Sequence, residues 1–150
     1  MKTVRHLTND PKQRVIAQEL YSSISNLPLV CPHGHVDARI FADKKYHFGN
    51  PVELLIQPDH YILRLLHSQG IPYESLGIPT LDGKMVELDP RKIWQTFAAA
   101  YYYFTGTPMA FWLDEQLAGV FGVEEKLDQN NAMAVYDQIN LQIARPDFNP

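Results

Sequence analysis

The sequence predicts a mostly α fold: a leading helix, one short strand carrying an H-x-H motif, then a helical bundle. Three observations carry this reading. Prolines recur directly after residues able to cap a helix, at Asp10-Pro11, Asn50-Pro51, Asp89-Pro90 and Thr107-Pro108. Proline at the first helical position gives up no needed hydrogen bond, and the residue before it can accept from free amides. Apolar residues then follow at helical spacing. Finally, "LVC", between Pro28 and Pro32, is apolar but too short for a helix, and reads as a buried strand.

Composition sets the frame. With 150 residues and 45% hydrophobic content, the chain has the makings of one globular domain rather than a disordered segment. A formal charge of -4 argues against a phosphate-tracking nucleic-acid binder, which needs a basic face. No apolar run is long enough to cross a bilayer, and "MKTVRHLTND" lacks the apolar stretch of a signal peptide. A single cysteine makes no internal disulfide, so Cys31 fits a reducing cytoplasm. Its neighbours Leu29 and Val30 predict a small buried residue rather than a reactive thiol.

The first helix is expected from about Pro11 to Ser25, with Ile16, Leu20 and Ile24 on one face; Asp10 and Gln13 resemble a capping box. The strand and a loop, "DARIFADKKYHFGN", follow. Residues 51 to 56 suit a short helix, and residues 58 to 69 a better one that stops at Gly70. "GIPTLDGKMVELDP" is turn-rich, with room for a small hairpin around Asp82-Gly83. A helix from Pro90 to Thr105 buries Ile93, Phe97, Tyr101 and Phe104; one from Pro108 to Phe121 buries Trp112, Leu117 and Phe121. The last, about Gln129 to Ala144, buries Val135, Tyr136, Ile139 and Ile143. The expected organisation is one N-terminal region: residues 1–40 for the first helix and strand, 41–150 for the helical subdomain. A lone strand cannot satisfy its own backbone and needs a partner.

Two stretches carry chemistry. In "PLVCPHGHVDARIF", His33 and His35 are two apart, and on a strand such residues face the same side, roughly 6.5–7 Å apart. Two imidazoles so placed can lean onto one metal ion at about 2.0–2.1 Å. Gly34 lets the backbone bend, and Asp37 is near enough in sequence to orient a ligand. Yet a chance H-x-H is not rare among six histidines, and two ligands are fewer than a zinc site needs. In "QPDHYILRLL", His60, Tyr61 and Arg64 share one side of a helix near its start. An imidazole, a phenol and a guanidinium suit an anionic, hydroxyl-rich ligand. The bland alternative is a capped helix start, with Asp59 at the positive dipole end, Tyr61 in the core and Arg64 in solvent.

Together, "HGHVDARIFAD", then "FGNPVELLIQPDHYILRLLHSQGI", then "KIWQTFAAAYYYFTGTPMAFWLDEQLAGVFGV", resemble the uronate isomerases, also called glucuronate isomerases, of the amidohydrolase superfamily. H-x-H alone marks the superfamily at most; followed by D-H-Y-x-x-R and the G-T-P…W-L…F-G-V block it is far more specific. The resemblance covers nearly the whole chain. It implies that His33 and His35 bind a divalent metal, usually zinc, at the end of the first barrel strand. It implies that His60 and Tyr61 reach the substrate as catalytic and binding groups, with Arg64 in the same substrate-binding motif. The implied reaction interconverts D-glucuronate with D-fructuronate, or D-galacturonate with D-tagaturonate, by proton transfer between C2 and C1. The metal would polarise the sugar oxygens, and Tyr61 would move a proton or donate to an oxygen.

The family uses a (β/α)8 barrel, which takes about 250 residues. The family's further metal ligands and carboxylate-holding arginines have no counterpart before Pro150. The chain therefore resembles the N-terminal portion of such an enzyme, expected to be inactive by itself. Its expected partners are a hexuronate substrate, the remainder of the barrel and further copies in a homo-oligomer, with no nucleic acid or membrane. A competing expectation is a free-standing helical interaction module, in which aromatics such as Trp94, Tyr101, Tyr102, Tyr103 and Trp112 meet a core or an unrelated partner.

Overall fold

The computed structural model describes residues 8–31, 34 and 36–148. The backbone divides into two compact units, one ending at Gly34 and the other running from position 35. Their described residues are helical or irregular, and none is in a strand.

The first unit holds α1, Pro11–Ile24. Asp10 caps it, its carboxylate accepting from the Gln13 amide at 2.9 Å, with Pro11 behind the cap as expected. Ile16, Leu20 and Ile24 do form one face, but each is more than half exposed and no residue of α1 is buried. Residues 28–31 carry no regular structure. Leu29 and Val30 are 91% and 86% exposed and Cys31 is exposed, so the expected buried strand and buried thiol are corrected. No described residue pairs with this stretch as a strand, and extended backbone gains little without a neighbour to take its N–H and C=O groups. His33 and His35 lie outside the described residues.

The second unit is a helical cluster. Its elements are α2 (Arg39–Ala42), α3 (Pro51–Leu55), α4 (His60–Ser68), α5 (Pro90–Ala99), α6 (Pro108–Gly119) and α7 (Ala132–Ile143). Short 3₁₀ turns occupy Tyr73–Leu76 and Tyr101–Phe104. The cap-proline pairs open three of these helices: Asn50 before α3, Asp89 before α5 and Thr107 before α6 each accept from amides of the first turn. The Asn50 and Glu53 side chains also meet, with Asn50 Nδ2 donating to Glu53 Oε1 at 2.6 Å. The helix expected from residue 58 starts two residues later. Asp59, not a residue before Pro58, takes the cap, and residues 56–58 form a turn.

α5 is the hub, packing against α7, α3 and the first 3₁₀ turn. Trp94 is fully buried, and its indole N–H donates to the Ala132 carbonyl at 2.8 Å, fastening α5 to the first turn of α7. The Trp94 ring lies 5.4 Å from Phe97 and 6.0 Å from Tyr136, in the tilted and edge-on arrangements aromatic pairs favour. After Ala99 the helix tightens into the 3₁₀ turn. Three residues per turn put Tyr101 and Phe104 inward together and leave Tyr102 and Tyr103 outside, which resolves how "YYY" is shared between core and surface. The Tyr101 hydroxyl donates to Asp114 of α6 at 2.7 Å; burial, then this hydrogen bond, raises its pKa. Trp112, expected inside, is 53% exposed.

The stretch around Asp82-Gly83 is a turn without flanking strands. Gly83 donates to the Thr80 carbonyl at 3.2 Å with φ of +70°, a conformation glycine accepts readily. Among the described residues no helix is long and apolar enough to cross a membrane.

If the Trp94–Ala132 bond fastens α5 to α7, Trp94→Phe should cost about 0.5–1.5 kcal/mol for the lost hydrogen bond, the Ala132 carbonyl keeping its place in the α7 ladder. Trp94→Ala should cost more, about 3–5 kcal/mol. Urea unfolding followed by circular dichroism checks both; equal stability of Trp94→Phe and the parent would show the hydrogen bond to be dispensable.

Candidate active site: the first turn of α4

Helix α4 has two unlike sides. Ile62, Leu63 and Leu66 are buried and seat it in the core. The other side carries His60, Tyr61 and Arg64. Their placement begins with Asp59, whose extended backbone breaks the chain direction and whose Oδ1 accepts from the Tyr61 and Ile62 amides at 2.8 and 3.3 Å. The cap fixes where the helix starts, and the start fixes which residues face outward.

Tyr61 is 60% exposed, so it is not a core residue. Its ring lies 4.2 Å from that of His60, tilted by 33°. The Arg64 guanidinium stands 5.3 Å from the Tyr61 ring centroid, within cation–π range. Arg64 Nε also donates to the His60 carbonyl at 3.3 Å. The structure thus brings together all three side chains that spacing singled out on this helix. A phenol, an imidazole and a cation on one exposed turn can donate to hydroxyl or carbonyl oxygens and exchange protons with them.

A cavity of about 550 Å³ lies in the same unit, with Asp37, Arg39, Tyr46, His47, Glu53 and Pro58 among its lining residues. Pro58 is two residues before His60, so the cavity wall runs up to the start of α4. Sequence reasoning passed over Tyr46 and His47, because an irregular loop has no periodicity to mark a face. Asp37, considered above as a group that could orient a metal ligand, is engaged elsewhere. Its carboxylate accepts from Arg39 Nε at 2.9 Å and from the Arg39 amide at 2.9 Å. The Arg39 hydrogen bonds hold its carboxyl below the usual carboxylate range.

His33 and His35 lie outside the described residues, and the described residues contain no group of three or more His, Cys, Asp or Glu side chains placed to hold a metal ion.

Comparison with known proteins places this chain among relatives of one kind. A family model described as glucuronate isomerase matches residues 7–150. A uronate isomerase of Nostoc punctiforme is 51% identical over 146 residues, covering 97% of this chain and 31% of that protein. One from Rhizorhabdus wittichii is 45% identical over 141 residues, covering 94% of this chain and 29% of that protein. The crystal structure of glucuronate isomerase from Caulobacter crescentus superposes with a TM-score of 0.87 at 38% identity, over 97% of this chain and 30% of that one. The chain thus spans about 30% of the length of the relatives it matches.

Replacing the cap tests the construction of this turn. Asp59→Ala should cost about 1 kcal/mol, within the usual range of about 0.5–2. Amide exchange should speed up at Tyr61 and Ile62 before the rest of α4. Unchanged protection at those two amides would mean that core packing alone sets the helix start.

Proposed function

The chain belongs to the glucuronate isomerase family, and from that membership we propose that it is the N-terminal portion of a uronate isomerase. The reaction is interconversion of D-glucuronate with D-fructuronate, and of D-galacturonate with D-tagaturonate. The observation that carries the proposal from family to site is the exposed Tyr61 with the half-buried His60 beside it on the capped first turn of α4.

In aldose–ketose interconversion the proton on C2 is removed, an enediol forms, and a proton is delivered to C1. The hydroxyl proton at C2 is lost as the C1 carbonyl oxygen becomes a hydroxyl, so the change is redox-neutral overall. Tyr61 serves as a proton-transfer group or hydrogen-bond donor at these oxygens, a role a phenol can fill in either direction. His60 binds the sugar beside it. Arg64 belongs to the same substrate-facing cluster. His33 and His35 contribute two ligands to a divalent metal, zinc in this proposal, and later parts of the polypeptide provide the others. When bound, such an ion supplies Lewis-acid polarisation of substrate oxygens.

The remainder of a (β/α)8 barrel is the proposed structural partner. Residues 28–31 would then become the first barrel strand once a neighbouring strand supplies hydrogen bonds. The exposed apolar face of α1 supports this reading, since Ile16, Leu20 and Ile24 are the kind of surface a further layer covers. The complete enzyme is proposed to be cytoplasmic and homo-oligomeric.

Three outcomes follow for the full-length polypeptide and for this chain. In the full-length protein, Tyr61→Phe should lower kcat for D-glucuronate by about 10²–10⁴-fold, the usual scale for a general acid–base group, with metal content unchanged. His33→Ala and His35→Ala should each reduce both bound zinc and turnover, read by metal analysis after dialysis and by ketose formation. The 150-residue chain alone should leave both uronates unconverted and retain no stoichiometric zinc. Conversion of neither sugar by the metal-loaded full-length protein would refute the assignment of function.

A further inference from the structure

We infer that Arg64 is a positioning residue that acts through Tyr61, not a group that grips the sugar. This deepens, and rests on, the reading of Tyr61 as a catalytic group. At 60% exposure the Tyr61 ring is not locked by core packing, so its direction depends on what its neighbours hold against it. Those neighbours are the His60 ring at 4.2 Å and the Arg64 guanidinium at 5.3 Å. Arg64 is itself held. Its Nε donates to the carbonyl of His60, four residues earlier, so the side chain folds back along the helix toward the first turn.

One planar group thereby does two things. Its N–H secures the carbonyl of the residue just before Tyr61, and its charge addresses the Tyr61 ring. The guanidinium is thus drawn against the turn, with Nε on backbone and its plane beside the Tyr61 ring. Lysine keeps the charge and can still approach the ring, but lacks the planar fork that reaches the ring and the carbonyl together. Methionine keeps most of the stem and neither polar function.

The test is a double-mutant cycle in the metal-loaded full-length enzyme, assayed with D-glucuronate: Arg64→Met, Tyr61→Phe, and both together, with Arg64→Lys as the conservative variant. Arg64→Met should lower kcat by about 2- to 5-fold, the range of an exposed cation–π contact converted to rate. KM should change by less than about 2-fold, and zinc content and thermal midpoint should stay at parent values. Arg64→Lys should recover part of the lost rate. Most tellingly, Arg64→Met should add almost nothing once Tyr61 is Phe, because the group it positions is gone. A rise in KM as the main effect, or losses that multiply in the double variant, would show Arg64 acting on the substrate directly and overturn the inference. So would a parent rate for Arg64→Met. If Tyr61→Phe alone turned over at the parent rate, the catalytic role of Tyr61 and the inference built on it would both fall. The two failures are distinguished by which single variant is silent.

Discussion

The described helical unit depends on one buried fastening, the Trp94 indole N–H on the Ala132 carbonyl. An indole is the largest apolar group available to a core, but its N–H must find an acceptor when water is excluded. The first turn of a helix is usually a place of unmatched donors, so its carbonyls point into the helix and are engaged there. Here a carbonyl at the start of α7 takes a second hydrogen bond from α5, using its other lone pair. That choice sets the register of α5 against α7. Phe97, Tyr101 and Phe104 then continue the aromatic core along α5 and around the 3₁₀ turn, with ring separations of 5.5–5.9 Å. α4 lays Ile62, Leu63 and Leu66 into this core and packs against both 3₁₀ turns. The direction in which Tyr61 leaves the surface is thus inherited from a core it does not join.

Capping carries that direction to the chemistry. The same device starts several helices, with a short polar side chain before the helix accepting from amides two or three residues on. Energetically each cap is minor, about 1 kcal/mol. Geometrically the cap at Asp59 matters more, because sliding the start of α4 by one residue would rotate its side chains by about 100°. His60 and Tyr61 occupy the first turn, where a shift of start has most effect on orientation. The exposed surface there combines a polar turn with a neighbouring open cavity, whereas the far side of α4 is apolar and dry.

Legibility from sequence followed the range of the interaction. α1 and α3 were read within a residue or two because Asp10-Pro11 and Asn50-Pro51 are local signals, complete within one turn of chain. The same holds for the starts of α5 and α6. The stop of α5 at Ala99 was not legible, since a helix and a 3₁₀ turn share an apolar pattern over so few residues. Nor was the exposure of Trp112, because α6 is apolar nearly all round and its pattern selects no single face. α2 lay hidden in a loop: Asp37 starts it through Arg39, an interaction two residues long with no apolar periodicity to announce it.

The sequence by itself determined the family, the helical character, the helix starts and the identity of the His60, Tyr61 and Arg64 cluster, because motifs, caps and i to i+4 spacing are properties of neighbouring residues. Tertiary structure decided which way those side chains face, that Tyr61 stands outside the core, that Asp37 is engaged by Arg39, and that residues 28–31 do not pair as a strand. The physical reason is that burial and strand pairing are relations between distant segments. An apolar run such as "LVC" carries a propensity to extend, but hydrogen bonds to a neighbouring strand are needed to make it one.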